Sequence, residues 1–103
     1  MEYYLLVYEL EEGYLDRRGD FRDEHLRMAR EAHERGELVL AGAVADPADH
    51  AYLVFRVPSA GIVEAFARAD PYVVNGLVKR WEVRQWKVVI GNEALDKSAA
   101  AKV

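Results

Sequence analysis

Ala69-Asp70-Pro71-Tyr72-Val73-Val74-Asn75-Gly76-Leu77 is the stretch that decides how this chain folds. A residue before proline is pushed out of the helical region, so a helix arriving from upstream has to stop at Asp70. Pro71 is suited to the first position of a new helical turn, and Gly76 breaks that turn. The stretch therefore separates a helical pattern behind it from a strand pattern ahead of it. Behind it, Ser59 can cap a helix whose stripe Ile62, Val63, Phe66 and Ala67 ends near Ala69. Ahead of it, Leu77 to Ile90 alternates Trp81/Val83 against Arg80/Glu82/Arg84, which predicts a long final strand.

Working outward, Ala51 to Val57 reads as a strand stopped by Pro58, and Asp46-Pro47-Ala48-Asp49 as the turn that joins it to a strand over Glu37 to Ala45. From Phe21 to Arg35 the period is helical, with Asp20 as N-cap, Gly36 as terminator and one stripe of Phe21, His25, Met28, Ala29 and Ala32. Residues 11–20 are a charged connector turning at Gly13 and Gly19. Met1 to Leu10 reads as a strand with two apolar faces, Tyr3/Leu5/Val7 and Tyr4/Leu6/Tyr8/Leu10, so both sides should be covered.

The order β-α-β-β-α-β predicts an α+β, ferredoxin-like fold, with an antiparallel four-stranded sheet and both helices on one face. Tyr52, Val54, Trp81 and Val83 are assigned to the open face with the first strand, and Trp81 and Trp86 to a dimer core. A second copy stacked sheet to sheet is the simplest cover, so a homodimer is expected. Residues 1–91 form the domain, and 92–103, polar and alanine-rich, a frayed helix or disordered tail.

Composition narrows the function. The 103 residues are 51% hydrophobic and 31% charged, which suits one globular domain. There is no cysteine, hence neither a disulfide nor a thiolate ligand or nucleophile. A net charge of −4 argues against a nucleic-acid partner. Ala51-Tyr52-Leu53-Val54-Phe55 also lacks the paired aromatics an RNA-binding sheet presents. No apolar run nears the ~20 residues of a membrane helix, and Glu2 and Glu9 interrupt the first ten residues in a way no signal peptide shows, so a cytoplasmic protein is expected. No His-x-His, His-Glu-x-x-His, compact carboxylate cluster or glycine-rich phosphate loop occurs, and no metal or cofactor is expected.

Two residues carry the chemistry. Asp70, placed as an N-cap, can accept a backbone N–H with one oxygen and orient an imidazole with the other. His25 lies on the buried stripe one turn into its helix; an imidazole there is either a packed, hydrogen-bonded residue or a group that exchanges protons near neutrality. No serine or cysteine stands out as a nucleophile, which favours proton transfer, lyase, isomerase or hydrolase-type work over acyl-enzyme chemistry. Arg22, one turn before His25, can clamp a substrate carboxylate, and Tyr4, Tyr8, Tyr52 and Tyr72 can line a pocket. His33 and His50 read as surface residues, His50 in the hairpin turn.

Four segments together resemble a known bacterial family, the YciI-like (YCII-related) proteins. They are Arg22-Asp23-Glu24-His25-Leu26, Gly36-Glu37-Leu38-Val39-Leu40-Ala41-Gly42, the stretch quoted first, and Val83-Arg84-Gln85-Trp86-Lys87, over roughly residues 1–88. The resemblance implies a dimeric α+β barrel with a histidine and an aspartate in its site, here His25 and Asp70. Where the family reads Arg-Pro-x-His, this chain has Arg22-Asp23-Glu24-His25; where the family has Gly-Pro, it has Gly42-Ala43, which makes Gly42 part of a loosened pocket wall. One relative is linked to dehalogenating a chlorinated lactone, and muconolactone isomerases share the wider fold. The function implied is a cofactor-independent enzyme using a His25–Asp70 dyad for acid/base chemistry on a small carbonyl or lactone-type metabolite, as a homodimer. The alternative is a non-catalytic module of the same fold that binds a small molecule or regulates. Haem binding, known for other stacked barrels, finds no evident axial ligand other than His25.

Overall fold

The computed structural model describes residues 1–91. Strand β1 (Glu2–Leu10) leads into a one-turn helix α1 (Tyr14–Arg17), a 3-10 turn (Arg18–Asp20) and helix α2 (Arg22–Glu34). Strands β2 (Leu38–Ala43) and β3 (His50–Val57) form the hairpin, and helix α3 (Ala60–Ala69), short helix α4 (Pro71–Val74) and strand β4 (Val78–Trp86) follow. The four strands make one sheet in the order β2-β3-β1-β4, every pairing antiparallel. The doubly apolar β1 is therefore an inner strand, hydrogen-bonded on both edges.

Alternation divides each strand between two faces. Leu6, Tyr8 and Leu10 of β1 and Leu53, Phe55 and Val57 of β3 are buried in the core with Val63, Phe66 and Ala67 of α3. Phe55 and Phe66 meet edge to face at 5.2 Å between ring centres. Helix α2 is more lightly seated, with Ala32 as its one fully covered residue.

The ends of α2 and α4 are built alike. Gly36, at φ 81°, donates to the His33 carbonyl while Glu37 donates to that of Ala32. Gly76, at φ 77°, donates to Val73 while Leu77 donates to Tyr72. Each pair satisfies carbonyls that a helix end would otherwise leave open, and each requires a left-handed residue that glycine supplies without strain.

Four expectations are corrected. Residues 11–20 are not merely a connector: α1 and the 3-10 turn form there, anchored by the buried Tyr14. Asp20 ends that 3-10 turn, and the N-cap of α2 is Phe21, with no side-chain cap bond. Trp81 and Val83 pair with Tyr8 and Leu6 and so share the helix-covered face, where the Arg68 guanidinium lies 5.6 Å over the Trp81 ring. That removes Trp81 and Val83 from the open face, to which β4 brings Arg80, Glu82 and Arg84, with Trp86 opposite Tyr3. His50 is not in the turn but opens β3 opposite Glu9, its ring stacked toward Tyr52. The proposed tail, 92–103, lies outside the described residues. Among the described residues no helix is long and apolar enough to cross a membrane, and no group of three His, Cys, Asp or Glu is arranged to hold a metal.

Candidate functional site

Among the described residues Asp70 is the one charged residue in the core, with none of its surface exposed. Its extended backbone, at φ −64° and ψ 123°, closes α3 and opens α4, so the side chain is turned back under the sheet. One oxygen, Oδ1, accepts the Tyr72 N–H at 3.0 Å. The other, Oδ2, accepts the Tyr8 hydroxyl at 2.8 Å. His25 Nδ1 lies 2.9 Å from Oδ1 and 3.0 Å from Oδ2. A buried carboxylate is costly without donors, and this one has three, drawn from β1, α2 and α4.

Because a carboxylate can only accept, His25 Nδ1 is the protonated nitrogen. The other nitrogen, Nε2, has no hydrogen-bond partner among the described residues. The ring is fixed twice over: Asp70 holds it in plane, and Tyr72 stacks on its face at 3.9 Å and 11°. Tyr14 in turn meets Tyr72 edge-on at 5.7 Å. The residue that makes α1 more than a connector thus buttresses the aromatic plate behind the imidazole.

His25 opens onto a pocket of about 510 Å³ between α2 and the β2 side of the sheet, a volume suited to a small organic molecule. Arg22, Tyr8, Tyr72 and Gly42 line it as well, and Asp70 stands behind the wall. A Cβ at Gly42 would meet nothing within 4 Å, so neither packing nor backbone angle demands glycine there. Of the four tyrosines considered, Tyr8 and Tyr72 reach the pocket. Tyr52 does not, because its register opposite Val7 sends it to the open face.

Both pocket phenols remain protonated at neutral pH. Burial pushes the Tyr8 phenol far up, and the Asp70 charge and the hydrogen bond donated to it add to the effect. Tyr72 is pushed up to about 12, first by burial and then by Tyr14, while Arg22 and Arg18 pull it back. Each is therefore a hydrogen-bond donor.

Sequence reasoning missed several wall residues. Tyr14, Arg18 and Arg30 line the pocket, and so does His33, which lies at the surface as expected and whose Nδ1 donates to the Leu38 carbonyl at 2.7 Å. A signal was present: Arg22, Leu26, Ala29 and His33 follow i, i+4, i+7, i+11 spacing, one continuous side of α2.

The sequence model of the family described as YCII-related domain matches residues 1–87. Two solved structures share the fold. One is 5-chloro-2-hydroxyhydroquinone dehydrochlorinase (TftG) from Burkholderia phenoliruptrix, in complex with 2,5-dihydroxybenzoquinone; its TM-score is 0.69 at 22% identity, covering 82% of this chain and 93% of that one. The other is protein Atu4242 from Agrobacterium tumefaciens, with a TM-score of 0.56 at 18% identity, covering 84% of this chain and 92% of that one. No curated protein matches the chain.

Two outcomes follow from this geometry. Asp70→Ala leaves three donors without their acceptor and should cost about 3–5 kcal/mol in urea denaturation, whereas Tyr8→Phe, which removes one donor, should cost about 1 kcal/mol. Equal losses would show that the carboxylate does not gather the three elements. For Tyr72, a folded pKa above the ~10 of the unfolded chain means that the native state binds more protons across that interval. Stability contributed by this group is complete below pH ~10 and declines as pH rises toward about 12. Ultraviolet titration of phenolate should therefore lose a late step in Tyr72→Phe; loss of an ordinary step near pH 10 would contradict the assignment.

Proposed function

Because the chain belongs to the YCII-related family, we propose that it is a small enzyme in which His25, oriented by Asp70, moves a proton on a small carbonyl or lactone-type metabolite held between α2 and β2. The observation that carries this is the Nδ1–H···carboxylate contact to the buried Asp70 made by a ring that lines the pocket and whose Nε2 has no partner among the described residues. The carboxylate fixes the tautomer in which Nε2 is free to accept a proton, and it compensates the positive charge that the ring then carries. Tyr72, a protonated phenol stacked on that ring, can donate to a substrate carbonyl oxygen, and Arg22 can hold a carboxylate.

Among the described residues the pocket wall contains neither serine nor threonine, which favours proton transfer over formation of a covalent ester. Dehydrochlorination, the activity named for the first structural neighbour, belongs to that class: a base takes a proton, the freed electron pair forms a double bond, and chloride leaves with its own pair. The quinone bound to that neighbour is a planar ring rich in carbonyl and hydroxyl oxygens, a shape suited to a pocket of this size.

The working unit in this proposal is a homodimer. Leu5, Val7 and Val54 on the open face are incompletely covered, and Leu40, Trp86 and Tyr52 are 67%, 48% and 37% exposed. A second copy laid against this face buries them all.

Turnover should be sought with chlorinated hydroxyquinols and lactones. His25→Asn is expected to lower it by about 10²–10⁴-fold with the far-ultraviolet spectrum unchanged. Undiminished turnover removes His25 from the mechanism, and binding without product at any pH from ~5 to 8 favours the non-catalytic module. Sedimentation should give twice the 11.7 kDa chain mass, and Leu40→Glu with Tyr52→Glu should halve it. A monomer in the parent protein sinks the dimer.

A further inference from the structure

The chain has 18 acidic residues against 14 lysines and arginines, yet among the described residues no aspartate or glutamate lines the pocket. Its charged wall residues are Arg18, Arg22 and Arg30, with His25 and His33 beside them. Among the described residues none of these three guanidiniums makes an ion pair or a protein hydrogen bond, whereas their neighbour Arg27 pairs with both Glu24 and Glu31. Glu24 and Glu31 of α2 pair on its solvent side, and among the described residues the three arginines that line the pocket pair with no acid. Around them the wall is apolar, with Leu26, Ala29, Leu40 and Ala41 among its residues. Unpaired guanidiniums beside a low-dielectric hollow concentrate positive potential within it, and each offers a planar fork that matches a carboxylate or an ionised enol.

Arg18 is held at the reacting end by a relay of rings. Its guanidinium sits 5.8 Å over Tyr14, Tyr14 abuts Tyr72, and Tyr72 stacks on His25. Arg22 begins α2 one turn before His25. Arg30 lies two turns further along, about 12 Å from Arg22 by helical rise, so it adds to the field rather than gripping the same group.

We propose that the ligand of this pocket is an organic anion with an apolar body, and that Arg18 and Arg22 select it by gripping its negative group beside His25. This deepens the proposed function by naming the substrate class, and it rests on the pocket as the binding site rather than on turnover by His25.

The test compares benzoate with benzamide, a neutral molecule of nearly the same shape, by isothermal titration on the full chain. Benzoate should bind at least ~10-fold tighter at 0.01 M salt, where the screening length is about 30 Å, and the preference should shrink at 0.15 M, where it is about 8 Å. Arg22→Gln, a change at an exposed residue, and Arg18→Gln should each weaken benzoate about 5- to 10-fold and leave benzamide unmoved; Arg18→Lys should recover part of the loss. If Arg18→Gln melts at a much lower temperature, Arg22→Gln and the salt series decide alone. Equal affinity for the two probes, no benzoate binding, or a preference untouched in Arg22→Gln overturns the proposal. Anion-selective binding with no turnover of any substrate supports it while sinking the enzyme reading; turnover of neutral substrates with no anion preference does the reverse.

Discussion

A carboxylate with no access to water is the constraint on which this molecule depends. Asp70 is withdrawn fully from solvent, and its charge is tolerable because a phenol from β1, an imidazole from α2 and a main-chain N–H from α4 converge on it. Those donors come from positions 62, 45 and 2 residues away, so the group is satisfied only when the sheet, the first long helix and the α3–α4 bend are all in place. Folding and site assembly are in this sense one event. Any imperfection in the docking of α2 exposes an unmet electrostatic demand in the core, which ties the orientation of His25 to the overall packing rather than to a local loop.

That coupling explains the division of labour around the pocket. The inner wall of Tyr8, His25 and Tyr72 is held by hydrogen bonds and ring stacking, and its side chains have little freedom to shift. Among the described residues the guanidiniums at the rim make no hydrogen bond or ion pair, Arg18 resting only against the Tyr14 ring, and long side chains are what a site uses when the partner, not the protein, completes the ion pair. A fixed floor under an adaptable cationic rim is the arrangement the proposed function calls for, in which a reacting carbon must be placed closely and a charged group need only be captured.

Much of this was legible in the chain before any coordinate. The switch from alternation to a helical period and back marks every main element, and Asp70-Pro71 announces both a helix boundary and a capping carboxylate, which is the role its Oδ1 performs. What escaped has physical reasons. A one-turn helix such as α1 has no period to detect, so Tyr14 looked like one more residue in a charged connector. The side taken by Trp81 and Val83 depends on register, which is a property of the neighbouring strand, and alternation alone leaves that choice open. Arg30 faces solvent, as its place on α2 implies, and Arg18 sits in a charged 3-10 turn; that both also flank one hollow depends on how α2 and that turn close over the sheet, which no local pattern states.

The strand that supplies the outer pocket wall is the border of the sheet. Strand β2 has a neighbour on one side only, and beyond Leu38 its residues are all exposed, so they contribute little to the core. In the proposed function, substitutions along that rampart would change the guest it admits, within the limit set by the dimer contact at Leu40, while the imidazole and carboxylate opposite stay moored in the protein's interior. On that proposal the layout keeps what is recognised apart from what is done, so that one scaffold could change its guests and keep its chemistry.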